Sequence, residues 1–219
     1  FFRYCINPHN KYLRGFWVFV TLAVLIKGVA GLFFIPGLLA FALWEKRYKS
    51  LLYNKWLYLG IAFFVLIIGG YYTFRELNAP GFLLAVYNTE LGGRYLTELE
   101  DNGRPPLFYF KNFSWRLKYC VFLIVPAFIT GYGHSSKAMR QLTLFNFILT
   151  ASFLMIISSS KTKLHWYDLP IYPLLSVQIA LLLHTCWTFL RNNFLNRVNQ
   201  LQQYAAAAML YISILAFPF

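Results

Sequence analysis

Between positions 158 and 173 the chain crowds together more reactive side chains than anywhere else. Lys161, Lys163, His165, Tyr167 and Asp168 follow a serine run at 158–160 and precede Pro170. Ammonium groups at such a spacing suit a phosphate emerging from the headgroup layer of a membrane. The same residues also suit interfacial anchoring, with Trp166 and Tyr167 in an aromatic belt. Arg94 has Glu90 one helical turn before it. That pair reads either as a surface ion pair worth little or as a phosphate-binding guanidinium steered by its neighbour. Lys27 stands inside an apolar run, and an ionisable group there is a functional candidate by default unless its stem snorkels to the interface. His165 and Glu90 are weak candidates for a divalent metal site, being two groups on distant segments. His134, in a glycine-rich turn, and His184, in an apolar run, read as structural. Cys5, Cys120 and Cys186 are scattered without CxxC spacing and read as buried small apolar residues. No HExxH, GxSxG, Walker A or GxGxxG pattern occurs, so nucleotide hydrolysis and serine-hydrolase chemistry have no support.

The elements that must position these residues are membrane helices. Of 219 residues, 59% are apolar, 21% aromatic and only 12% charged, with a mean hydropathy of +0.52. Soluble domains carry about 25% charged residues, and a water-soluble globule could not cover this much apolar surface. The composition excludes a cytosolic enzyme, a disordered tail and a secreted disulfide scaffold. The net charge of +13 would suggest nucleic acid in a soluble protein. Here the basic residues fall in short loops between apolar runs, which points to anionic headgroups, or to an anionic substrate, and not to nucleic acid.

Apolar stretches of spanning length fall at about 16–44, 56–74, 117–133, 142–159, 169–190 and 205–219. They predict an all-α polytopic bundle of about six to seven transmembrane segments over 1–219, with one outer segment at 75–116. The first stretch is too long for one upright helix. Two short helices meeting near Lys27-Gly28 would let the ammonium reach the interface, as a protein-lined break allows. That hairpin puts the Lys46, Arg47, Lys49 and Lys55 loop on the same side as Arg3, Lys11 and Arg14, and the short-loop charge rule favours the cytoplasmic side for both. Residues 75–116 and 160–168 then face outward. The outer segment holds Glu76, Glu90, Glu98, Glu100 and Asp101 and a turn-rich centre at 102–106. Its 82–99 run reads as an amphipathic helix on the membrane surface. The chain begins without a Met and ends inside an apolar run, so we expect a middle portion of a longer protein.

Lys163-Leu164, Tyr167, Leu169-Pro170 and Pro173 resemble the K-L-x-x-Y-x-L-P-x-x-P signature of protein-mannosyltransferase-like GT-C glycosyltransferases, the group that contains the bacterial lipid A aminoarabinose transferases. The 22–31 segment, with Lys27-Gly28 and Gly31, is similar to the L-A-x-L-T-K-G-x-x-G segment of that family, although Ile26 replaces the threonine. Residues 87–95 followed by Arg104-Pro105-Pro106 and Phe108-Tyr109-Phe110 resemble its outer segment. The matches occur in the family's order.

The resemblance implies a multi-pass enzyme, in a bacterial inner membrane, that moves a sugar from a polyprenyl-phosphate carrier to an acceptor on the outer face: lipid A, a glycan or a protein. It implies that Lys27, Arg94, Lys161, Lys163, His165 and Tyr167 line the lipid-phosphate side of the cavity. The catalytic base, a carboxylate in the first outer loop, is expected upstream of residue 1. A divalent metal is an open cofactor, since Asn88-Thr89-Glu90 stands where some relatives carry a histidine ligand. A different class of function, transport or flipping of a lipid-linked or anionic solute, is favoured by the broken apolar hairpin around Lys27, although no internal repeat is visible.

Overall fold

The computed structural model describes residues 1–89, 104–105 and 107–193, and among them every regular element is helical. These are α1 (Phe2–Ile6), α2 (Asn10–Lys27), α3 (Ile35–Trp44), α4 (Tyr48–Leu52), α5 (Lys55–Asn78), α6 (Phe82–Val86), α7 (Phe108–Leu117), α8 (Val121–Tyr132), α9 (Lys137–Ser159) and α10 (Tyr172–Asn193). Four helical segments are long and apolar enough to cross a membrane: Asn10–Leu32, Lys55–Asn78, Lys137–Ser159 and Leu169–Asn192. A fifth arises if the bent pair α7–α8 counts as one. The protein is therefore an integral membrane protein with four, or up to five, helical segments of spanning length and apolarity among the described residues, where six to seven were expected; the ten-residue α3 is apolar but shorter than these. The expected stretch 205–219 lies outside those residues.

The chain forms two compact units, one of Phe1–Phe108 with Ile148–Asp168 and one of Tyr109–Phe147 with the chain from Leu169 onward.

In the first unit, the predicted break at Lys27 is present. Helix α2 ends there, Gly28 takes φ 61°, and a short 3-10 segment, Gly28–Leu32, folds back. A Cβ on Gly31 would stand 2.7 Å from the Ala23 carbonyl carbon, so only glycine permits this return along α2. Helix α3 then runs antiparallel to α2. Its far end reaches α1, where the Phe2 and Phe41 rings lie 5.9 Å apart and Arg47 Nε donates to Cys5 O at 3.0 Å. Asn54 closes the same end by donating to Asn10 Oδ1 at 2.9 Å and to the Tyr4 hydroxyl at 3.2 Å. Tyr4, Leu13 and Leu51 form a small core beneath it. The hairpin thus places Arg3, Lys11 and Arg14 at one end with Lys46, Arg47, Lys49 and Lys55, as expected.

Asn54 also caps α5 by accepting from the Trp56 N–H at 3.0 Å, as N-cap residues do. Helix α5 runs parallel to α2: Arg14 stacks on Trp56 at 4.8 Å, and Trp17 sits against Gly60 and 6.2 Å from Phe64. A Cβ on Gly60 would collide with the Trp17 ring at 1.8 Å. At the opposite end, the Glu76 carboxylate accepts the N–H groups of Gly81 and Leu83 at 2.9 and 2.7 Å. It thereby caps α6 after the Pro80-Gly81 corner. The helix predicted over 82–99 is described only through α6 and the wider π-helical turn at 87–89 that continues it; 90–103 lies outside the described residues.

In the second unit, α7 and α8 meet at 100° across a 3-10 turn, Lys118–Cys120, with Lys118 at φ 44°. The stretch 117–133 is thus not the straight span that hydropathy suggested. At 12 residues, α8 is about 18 Å long, short of the roughly 30 Å hydrocarbon core. Gln178 on α10 ties three helices together. Its Nε2 donates to Ala127 O of α8 at 2.8 Å and to Thr143 Oγ1 of α9 at 3.2 Å, while its Oε1 lies 3.4 Å from Asn146 Nδ2. Gly131 makes this approach possible: its Cβ position is 2.3 Å from Thr143 Oγ1.

Candidate functional site

Helix α9 fixes the site in the first unit. Gly37 lies against Leu149 and Ser152, and Phe34 stacks on Phe153 at 4.6 Å. Because α3 descends from 34 to 37 as α9 climbs from 149 to 153, the two are antiparallel. The loop 160–168 therefore leaves α9 at the end opposite the basic one. Lys27 is at that same end, exposed in the last turn of α2, where the partial negative charge of a helix C-terminus favours a cation. The Lys27 ammonium is exposed at the break and is not buried among the helices of this unit.

Serines end α9 because their hydroxyls compete for helix carbonyls; Ser159 Oγ donates to Ile156 O at 2.8 Å. The next helix restarts at the 3-10 turn Leu169–Ile171, where Pro170 has no N–H to leave unmet. The loop between them is largely buried: Ser160, Thr162, Lys163 and Asp168 are all inside. Lys163 Nζ donates to Ser160 O at 2.5 Å, and Ser160 Oγ donates to Thr162 O at 2.9 Å. An ammonium is costly to bury unless its donors are used, and here it closes the C-terminus of α9. Lys163 and Asp168 bring opposite formal charges into the same loop, so the loop buries no net charge.

The other residues of the motif divide by exposure. Lys161 and His165 are exposed, and the His165 ring packs against Phe108 at 4.9 Å. Tyr167 is half-buried, and its N–H closes a turn on Leu164 O at 3.1 Å. Lys161 and His165 are thus at the surface of the loop, while Lys163 lies beneath it. Arg94 and Glu90 lie outside the described residues. Among the described residues no three His, Cys, Asp or Glu side chains gather as metal ligands. The His134 Nδ1 accepts the Ser136 N–H at 3.0 Å within its turn. Of the cysteines, Cys5 is buried, but Cys186 is exposed, contrary to the expectation of burial. Burial pushes the Cys5 thiol up to about 11.

Two features were not singled out from sequence. The Gln178 network carries a readable signal, since Gln178, Thr143 and Asn146 are polar residues inside apolar runs. The burial of Asp168 carries none, because in sequence it looks like any loop carboxylate. Set beside known protein families, curated proteins and solved structures, the chain matches none of them.

Proposed function

We propose that this chain belongs to a membrane glycosyltransferase that moves a sugar from a polyprenyl-phosphate carrier to an acceptor on the outer face of a bacterial inner membrane. What carries the reading is the 160–173 segment. There a residue pattern resembling that of lipid-phosphate sugar transferases coincides with a built loop, anchored by buried Lys163 and presenting Lys161 and His165 outward. In this reading the basic end of the first unit is cytoplasmic and the loop end is outer. The reaction is an inverting displacement at the anomeric carbon, and the departing lipid phosphate gains charge as the bond breaks. Lys161 and His165 meet that phosphate, Lys163 is a positioning residue for both, and Arg94 is assigned to the same side by resemblance alone.

The test is transfer of labelled sugar from polyprenyl phosphate in membranes carrying the whole protein. Removing a preorganised cation from a developing charge typically costs about 10²–10³ in rate, so Lys161→Ala should fall by an amount of that order while the protein stays folded. Unchanged transfer in both Lys161→Ala and Lys163→Ala would remove the site assignment. A second reading, transport of a lipid-linked or anionic solute, is favoured by the helix break at Lys27-Gly28. Movement of the intact donor across proteoliposomes, with no new glycosidic bond, would select it.

A further inference from the structure

Hairpin closure gathers cations from three separate stretches of chain onto one end of the first unit. Arg3, Lys11, Arg14, Lys46, Lys49 and Lys55 are exposed there, and half-buried Arg47 is held by Cys5 O. Glu45 is the only carboxylate in the first 75 residues. The end is also aromatic: Trp44 and Tyr53 are 63% and 89% exposed, and the Arg14 guanidinium lies over the Trp56 ring, 4.8 Å from its centroid. Both α2 and α5 start here and run away as spans, so these side chains sit at headgroup depth, where amphipathic rings and long cationic stems settle.

We propose that this end is a binding surface for anionic phospholipid headgroups of the leaflet it reaches, selective over zwitterionic lipid and centred on Lys11, Arg14, Lys49 and Lys55. Phospholipid fits better than a soluble polyanion because the cations ring helix ends that enter the bilayer. A headgroup phosphate there meets ammonium and guanidinium groups while its acyl chains lie along the exposed faces of α2 and α5. The surface is independent of the sugar-transfer reading, since it occupies the opposite end of the unit.

The experiment measures retained lipid on the purified chain by native mass spectrometry after exchange into equal phosphatidylglycerol and phosphatidylcholine. Neutralising one cation near an anionic surface weakens attraction roughly five-fold. The variant Lys11→Gln/Arg14→Gln/Lys49→Gln/Lys55→Gln should therefore lose at least about ten-fold in phosphatidylglycerol preference. A control at the opposite end of the same unit, Arg75→Gln, should retain it. Preference that persists in the four-fold variant, or falls equally in the control, overturns the proposal. Displacement of the lipid by inorganic phosphate at constant ionic strength also overturns it, in favour of a soluble anion. Should the four-fold variant fail to fold, the pairs Lys11→Gln/Lys49→Gln and Arg14→Gln/Lys55→Gln must each lower the preference several-fold, and unaltered preference in either refutes it.

Discussion

Replacing Gln178 by leucine should loosen the second unit by a definable amount. The side chain makes two hydrogen bonds of ordinary length, to Ala127 O and Thr143 Oγ1, and a long one of 3.4 Å to Asn146. Interhelical hydrogen bonds in membranes average about 0.6 kcal/mol and reach about 1.7. The two good bonds together are thus worth about 1–3 kcal/mol, and the third adds little at its length. Leucine keeps nearly the volume, so Gln178→Leu isolates the polar contribution and should cost about 1–2 kcal/mol, because Thr143 can turn its hydroxyl back to its own helix. Gln178→Ala adds a cavity and should cost about 2 kcal/mol more. Steric-trap unfolding in bicelles reads both differences. A leucine variant as stable as the parent would mean that apolar packing alone joins α8, α9 and α10, and the network reasoning would fail.

Other outcomes follow from single positions. Gly31→Ala should destabilise the hairpin severely, because its Cβ would meet backbone of α2, which cannot move aside as a side chain can. Gly69→Ala, in open surroundings within α5, should instead stabilise by about 0.5–1 kcal/mol; thermal unfolding of the pair gives the comparison. For Cys5, burial pushes the folded thiol from its ordinary value of 9.0 up to about 11. The folded state therefore binds more proton between those values, and its Cys5-dependent stability is constant below about pH 8 and falls as pH rises through that window. The stability difference between the parent and Cys5→Ala, measured from pH 7 to 11, should shrink toward high pH; a difference that grows contradicts the burial.

Much of the membrane architecture is legible in the sequence, because spans announce themselves by length and apolarity. The stretches at 56–74 and 142–159 lie inside α5 and α9, and 169–190 lies inside the spanning segment Leu169–Asn192 formed by the 3-10 turn and α10. The break at Lys27-Gly28 is legible because a charge and a glycine interrupt an over-long apolar run. The α7–α8 bend is not: it depends on Lys118 adopting a left-handed backbone, which lysine composition does not signal. The candidate loop was legible as a cluster, but not the division of labour within it. Whether Lys163 faces outward or turns to Ser160 O is decided by how α9 ends and what packs over the loop, and these are tertiary facts. Gln178 is legible only residue by residue, because a hydropathy window averages one amide away among its apolar neighbours.

The claim on which function depends is that the hairpin sends the basic end and the 160–168 loop to opposite faces of the membrane. Single cysteines at Lys49→Cys and Lys161→Cys, each in a Cys5→Ala/Cys120→Ala/Cys186→Ala background, can be probed in sealed vesicles with a membrane-impermeant maleimide. Labelling of one from outside only, and of the other only after permeabilisation, is the predicted result. Labelling of both from the same face would contradict it.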